Sequence, residues 1–100
     1  MIVYNTDKSA SREVVVRAVV GPFSIHRPAG FSREKYYKAC WCVTATASGI
    51  QVTRVRLLGE AKRIAAELAT LGDWSWIDPT QCPTELKALA WNVVKETRLS

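Results

Sequence analysis

Three cysteines and one histidine are the residues of this chain best suited to metal binding or nucleophilic catalysis. Cys40 and Cys42 are two residues apart, so in a strand their side chains point to the same face. With Cys82 and His26 they could form a Cys₃His zinc site, because thiolates and imidazoles are ligands that zinc prefers. The Cys-x₂-Cys spacing of a zinc knuckle is absent, however, and free cysteines packed as small apolar side chains account for the same residues. We therefore expect neither a metal nor another cofactor.

Catalytic machinery is also sparse. A single histidine allows at most one imidazole base, and the chain has no Gly-x-Ser-x-Gly, His-Glu-x-x-His, Walker or Rossmann motif. No second histidine is present to activate Cys40 or Cys82 as a nucleophile. We therefore expect no catalytic residue and no enzyme activity.

Positive charge is the clearest functional signal. The formal net charge is +5 and the isoelectric point about 9.4. Residues 1–56 hold nine Lys or Arg and three acids, a difference of +6, whereas residues 57–100 hold five and six, a difference of −1. A basic half of this kind attracts nucleic acid or an acidic protein surface. Ordinary solubility is the alternative, since a net charge of about 2–8 is normal for a small domain.

The first half of the chain has the hydrophobic pattern of β-strands. β-Branched residues predict a strand over 13–20, and alternation predicts a second over 36–46 and a third over 50–57. Gly49 can take a positive φ in the turn between the last two strands. The apolar parity of the third strand changes near Thr53, which indicates either a bulge there or partial cover of both faces.

The second half has helical periodicity from Gly59, and a second helix is expected to start near Pro83. Strands followed by helices predict an α+β fold. We expect one domain over residues 1–100, in which an antiparallel sheet of three to four strands carries two C-terminal helices on one face. No apolar stretch reaches the roughly 18–20 residues of a membrane span. No secretory signal is evident, and the odd number of cysteines favours a reducing, cytoplasmic compartment.

Parity places a set of candidate binding residues on the face of the sheet away from the helices. Tyr36 and Lys38 share one face of the second strand, and Arg54 and Arg56 share one face of the third. Arg17 joins them from the first strand. The cations would meet phosphates or carboxylates while Tyr36 provides an aromatic anchor. The alternative is a solvated outer face on which Lys and Arg keep the sheet soluble.

Tryptophans form a second set of candidate binding residues. Trp74 and Trp76 lie in the connector between the helices, and Trp91 lies on the second helix. Exposed tryptophans are common anchors of protein interfaces, but in a small domain they also fill the end of the core. We expect two of the three in the core and one directed at a partner.

Trp41-x-Val43, the Ser48-Gly49 turn, a basic third strand and an alanine-rich helix follow one another between residues 38 and 71. This segment resembles the three-stranded-sheet-plus-helix DNA-binding modules at the start of phage and transposon integrases, whose sheet enters the major groove. This chain departs from them in its short, uncharged turn and in its second helix. The positions that match their DNA-contacting cations are Lys38, Arg54 and Arg56.

In size and style the whole chain resembles the small single-domain α+β proteins that phages and mobile elements encode, among them anti-CRISPR inhibitors. The resemblance implies a non-enzymatic protein that blocks a host complex by occupying a surface. We accordingly expect an inhibitor of a host protein or nucleoprotein complex that binds through its basic sheet face. The alternatives are direct DNA or RNA binding and self-association into a homo-oligomer through a free sheet edge. No membrane partner is expected.

Overall fold

The computed structural model describes residues 1–4, 11–27 and 40–95. Within these ranges it contains six strands, two α-helices and one short 3-10 helix. The strands are β1 (Ile2–Tyr4), β2 (Ser11–Glu13), β3 (Ala18–Val20), β4 (Phe23–His26), β5 (Trp41–Ala45) and β6 (Ile50–Val55). The helices are α1 (Leu58–Ala69), the 3-10 helix (Pro79–Gln81) and α2 (Thr84–Val94).

β3, β4, β5 and β6 form a four-stranded antiparallel sheet in chain order. A two-residue turn joins β3 to β4, and its Gly21 has a φ of 54°. Gly49 has a φ of 73° in the turn before β6, as the sequence predicts. α1 packs against all four strands and against α2. The predicted α+β fold is therefore confirmed.

A bulge interrupts the pairing of β5 with β6. Val43 pairs with Thr53, but Thr44 pairs with Gln51, so Val52 is the extra residue. The extra residue shifts the parity of the strand, and apolar residues on both sides of it then reach the helix side of the sheet. Of the two alternatives for this strand, the structure has the bulge.

The expected strand over 13–20 is wrong in its middle, because its two ends pair at opposite edges of a larger sheet. β2 pairs antiparallel with β1, β1 pairs parallel with β6, and the full order is β2-β1-β6-β5-β4-β3. Between β2 and β3, the Val14 N–H donates to the Met1 carbonyl, and the Arg17 N–H donates to the Ile25 carbonyl. Residues 14–17 therefore form a link that leaves one edge and joins the other.

This short link requires a curled sheet. Five Cα steps from β2 to β3 span at most about 18 Å, whereas six strands side by side in a flat sheet are about 24 Å across. A sheet curled to this degree has room inside only for side chains, so the helices must pack on its convex side. The face away from the helices is therefore concave.

The hydrophobic core lies between the four-stranded sheet and the helices. Trp74 closes one end of it: its ring meets Phe23 edge-on at 4.8 Å, and its indole N–H donates to the Leu68 carbonyl at 2.8 Å. Each large apolar side chain buried here stabilises the fold by about 1.5–3 kcal/mol. No helix in the described part of the chain is long and apolar enough to cross a membrane. The remaining buried core residues are Ile25, Val43, Ala45, Val55, Ala61, Ile64, Ala65, Leu86, Ala90 and Val94.

Candidate binding surfaces: an arginine end and a tryptophan cavity

Strand register gathers arginines at one end of the four-stranded sheet. His26 pairs with Cys42, and Cys42 pairs with Arg54. Arg27 and Arg56 follow at the ends of β4 and β6, and Arg17 immediately precedes β3. We call these four residues the arginine end: Arg17, Arg27, Arg54 and Arg56.

Three of the four arginines are exposed, and Arg54 is half-buried. The Arg27 guanidinium lies over the Trp41 ring, 3.8 Å from its centroid, and donates to the Cys40 carbonyl at 3.0 Å. A cation held over an aromatic face and by a hydrogen bond has little freedom left to lose on binding. Arg17 belongs to the exposed residues of an alternating segment whose half-buried members, such as Ala18, pack against the core.

Acidic residues concentrate in another part of the molecule. Within the described ranges, five of the six lie in α1, in α2 or in the connector between them, and Glu13 binds the N-terminal ammonium at 2.8 Å. On the helix layer, Arg63 and Glu67 form an i, i+4 ion pair at 3.8 Å. The positive charge of the sheet layer is therefore separated in space from most of the negative charge.

The predicted solvated basic face of the sheet is corrected by the structure. Its middle is concave, neutral and buried: Ser24, His26, Cys42 and Thr44 are each at most 2% exposed. The curl of the sheet is the physical reason, because it turns this face inward. The cations Arg17, Arg54 and Arg56 are brought together at an end of the sheet instead. The predicted site residues Tyr36 and Lys38 lie outside the described residues.

The Arg27–Trp41 pair was missed by the sequence analysis. The two residues become cross-strand neighbours only through the register of β4 with β5. Residues 28–39 separate those strands, so no local pattern fixes that register. The one available signal was the strand-like run that ends at Arg27.

His26 is a satisfied core histidine. Its Nδ1–H donates to the Arg27 carbonyl at 2.6 Å, because a carbonyl can only accept, and the Thr44 hydroxyl donates to Nε2 at 2.7 Å. Burial lowers the His26 pKa, the bond to Arg27 opposes this, and the positive N-terminus lowers it further. That last effect fits a curled sheet, which brings Met1 within electrostatic reach of β4. The imidazole is neutral and has no free nitrogen for catalysis.

The four zinc-ligand candidates do not converge. Cys42 and His26 are cross-strand neighbours on the concave face, whereas Cys82 lies on the helix side, against the core. Within the described ranges no group of three or more His, Cys, Asp or Glu residues could hold a metal ion. Burial, together with the neighbouring Cys40, raises the pKa of the Cys42 thiol to about 12. A thiol with that pKa is protonated at neutral pH and is a poor nucleophile.

A cavity of about 330 Å³ lies between the start of β6, the interhelix connector and α2. Three tryptophans line it. Trp74 is a core residue, 4% exposed, so it offers a partner only the wall of this cavity. Trp76 is half-buried, and Trp91 is 52% exposed. We call it the tryptophan cavity; its lining residues are Ile50, Val52, Trp74, Trp76, Cys82, Lys87, Ala90, Trp91 and Val94.

The tryptophan cavity contains an unused hydrogen-bond donor. The Trp76 ring lies 6.0 Å from that of Trp74, and its buried Nε1 has no hydrogen-bond partner in the described part of the protein. A buried donor without a partner costs about 1–3 kcal/mol. Lys87 supplies a cation: burial raises the pKa of the Cys82 thiol, and the nearby Lys87 charge partly opposes that rise.

Comparisons with protein-family models, with curated proteins and with solved structures find no match to this chain.

Proposed function

We propose that this protein is a non-catalytic binding protein that attaches through its arginine end to an acidic surface of a host nucleoprotein complex, in the cytoplasm, and inhibits the complex by occupying that surface. The observation that carries the proposal is the convergence of four arginines from three strands on one end of the sheet. Arginine suits this task because its planar guanidinium binds carboxylates and phosphates with two parallel hydrogen bonds.

Trp41 strengthens the case for a macromolecular partner. Arg and Trp are the residue types most enriched among those that dominate interface energies. Here the Arg27 guanidinium already lies over the half-buried Trp41 ring. The pair offers a partner a flat, positively charged platform at low entropic cost.

The proposal is tested by affinity capture from a lysate of the host, with two variants of equal charge. R17E/R56E reverses two exposed cations of the arginine end, and K62E/K95E reverses two exposed lysines of the helix layer. We expect the wild type and K62E/K95E to retain the same nucleic-acid-bound complex, and R17E/R56E to lose it. The purified complex should bind its nucleic acid less well when the wild type is present. Capture of that complex by R17E/R56E at wild-type yield would contradict the proposal.

Direct binding to DNA or RNA is the second candidate, because a stacked arginine and aromatic ring can also receive a nucleobase while neighbouring arginines meet phosphates. Fluorescence anisotropy with a generic duplex and a single-stranded oligonucleotide separates the two candidates. For a duplex held by four arginines, log affinity should fall with log salt at a slope of about −3.6. That result favours direct binding, and absence of binding at low salt favours the protein partner.

A further inference from the structure

The tryptophan cavity lies on the helix side of the sheet, apart from the arginine end, so what it binds does not depend on the proposed function. Its volume of about 330 Å³ is at the lower end of the range for small-molecule sites. Its walls are mainly apolar, with indole rings of Trp74, Trp76 and Trp91. Flat apolar walls of this kind select a flat apolar ligand, since aromatic rings pair in offset or edge-to-face arrangements.

Two polar groups of the cavity are suited to an acceptor with negative charge. The buried Trp76 Nε1 is a donor without a partner, although buried polar groups in proteins are nearly always paired. Lys87 is an exposed cation of α2 that also lines the cavity. An indole N–H can only donate, and an ammonium can only donate, so the complementary group has acceptors alone. A carboxylate meets that condition and balances the charge of Lys87.

We propose that the tryptophan cavity binds a small aromatic carboxylate, whose ring lies among the indoles and whose carboxylate accepts from Trp76 Nε1 and pairs with Lys87. The half-exposed Trp91 forms the wall nearest to solvent. Cys82, also in the lining, is the one cysteine of the three that is not fully buried. Its thiol therefore reports on whether the cavity is filled.

Isothermal titration calorimetry with three probes tests the proposal: 2-naphthoate, its neutral isostere 2-naphthamide, and N-acetyl-tryptophanamide as a substitute for an aromatic side chain of a partner protein. We expect 2-naphthoate to bind at least about tenfold more tightly than 2-naphthamide, the difference expected for a charge-assisted hydrogen bond and ion pair. It should also slow alkylation of Cys82 by iodoacetamide.

Variants locate the site. K87Q removes the charge and W76F removes the N–H while keeping an aromatic ring, and each should weaken 2-naphthoate binding about fivefold to tenfold. K95Q, which neutralises an exposed lysine at the end of α2 outside the lining, should leave the affinity unchanged. Circular dichroism confirms that each variant is folded, and the Cys82 assay on the wild type tests occupancy without any substitution in the site.

Three results would overturn the proposal. The first is equal affinity for 2-naphthoate and 2-naphthamide, because the site would then not select for charge. The second is an equal effect of K87Q and K95Q, which would place the anion elsewhere. The third is absence of 2-naphthoate binding at millimolar concentration; binding of N-acetyl-tryptophanamide alone would then assign the cavity to a partner's side chain.

Discussion

Two buried threonines on neighbouring strands should respond oppositely to the same substitution. The Thr44 hydroxyl donates to His26, whereas the Thr53 hydroxyl is buried with no hydrogen-bond partner in the described residues. Thr44→Val should lower the free energy of unfolding by about 1–3 kcal/mol, because it leaves the imidazole Nε2 unsatisfied. Thr53→Val should raise it by up to about 1 kcal/mol, since it replaces an unused hydroxyl with a methyl group of the same shape. Urea denaturation measures both, and a change of the same sign in both variants would contradict this account.

His26 should make stability depend on pH below neutrality. Its pKa in the folded protein is lower than the value of 6.5 that applies to the unfolded chain. As the pH falls below about 6.5, the unfolded chain therefore takes up a proton that the folded protein does not. The free energy of unfolding then decreases, by at most about 1.4 kcal/mol per pH unit, until the folded-state pKa is reached.

Urea denaturation at pH 7 and pH 5 checks this dependence, with His26→Gln as the control. His26 is the single histidine of the chain, and the carboxylates and the terminal amine titrate mostly outside this range. The wild type should lose clearly more stability between the two pH values than His26→Gln. Equal losses would show that His26 is not the group responsible.

At the level of secondary-structure elements, two glycines should also respond oppositely to substitution by alanine. Gly21 has a φ of 54° in the β3–β4 turn, and an added Cβ would lie 3.5 Å from Ala69 Cβ, an ordinary contact. The cost of Gly21→Ala is therefore conformational, about 1–2 kcal/mol. Gly59 lies in α1 with nothing near an added Cβ, so Gly59→Ala should stabilise by roughly 0.5–1 kcal/mol. Thermal unfolding of both variants, compared with the wild type, decides; a higher melting temperature for Gly21→Ala would contradict the turn geometry.

Elements fixed by local pattern could be predicted from the sequence, and those fixed by distant pairing could not. The periodicity after Gly59 gives α1, and the parity change near Thr53 gives the bulge of β6, within a residue. The valine-rich run over 13–20 looks like one strand, because nothing local shows that its two ends pair with different strands. Its division into β2 and β3 is set by contacts with β1 and β4, and these exist only in the folded molecule.

At the level of the whole molecule, the sequence shows how much positive charge the first half carries but not where it lies. Parity correctly separates Arg54 and Arg56 from the core face. It cannot show that the sheet curls, since curvature follows from the order of all six strands. The curl buries the polar row around His26 and leaves the arginines at one end. The binding surface is therefore smaller than the predicted face and includes Arg27 and Trp41.

The central claim is that the position of the arginines, and not the net charge of the molecule, determines binding to an acidic macromolecule. R17E/R56E and K62E/K95E each reverse two exposed cations, and each lowers the formal net charge from +5 to +1. Exposed substitutions of this kind usually change stability by no more than about 0.5 kcal/mol, so both variants should remain folded.

The most direct measurement is the salt concentration at which each protein elutes from immobilised heparin, a polyanion that stands for an acidic surface. R17E/R56E should elute at markedly lower salt than K62E/K95E, and K62E/K95E should elute close to the wild type, because the phosphate- or carboxylate-binding arginines are intact in it. Elution of the two variants at the same salt concentration would show that only total charge matters and would contradict a binding site at the arginine end.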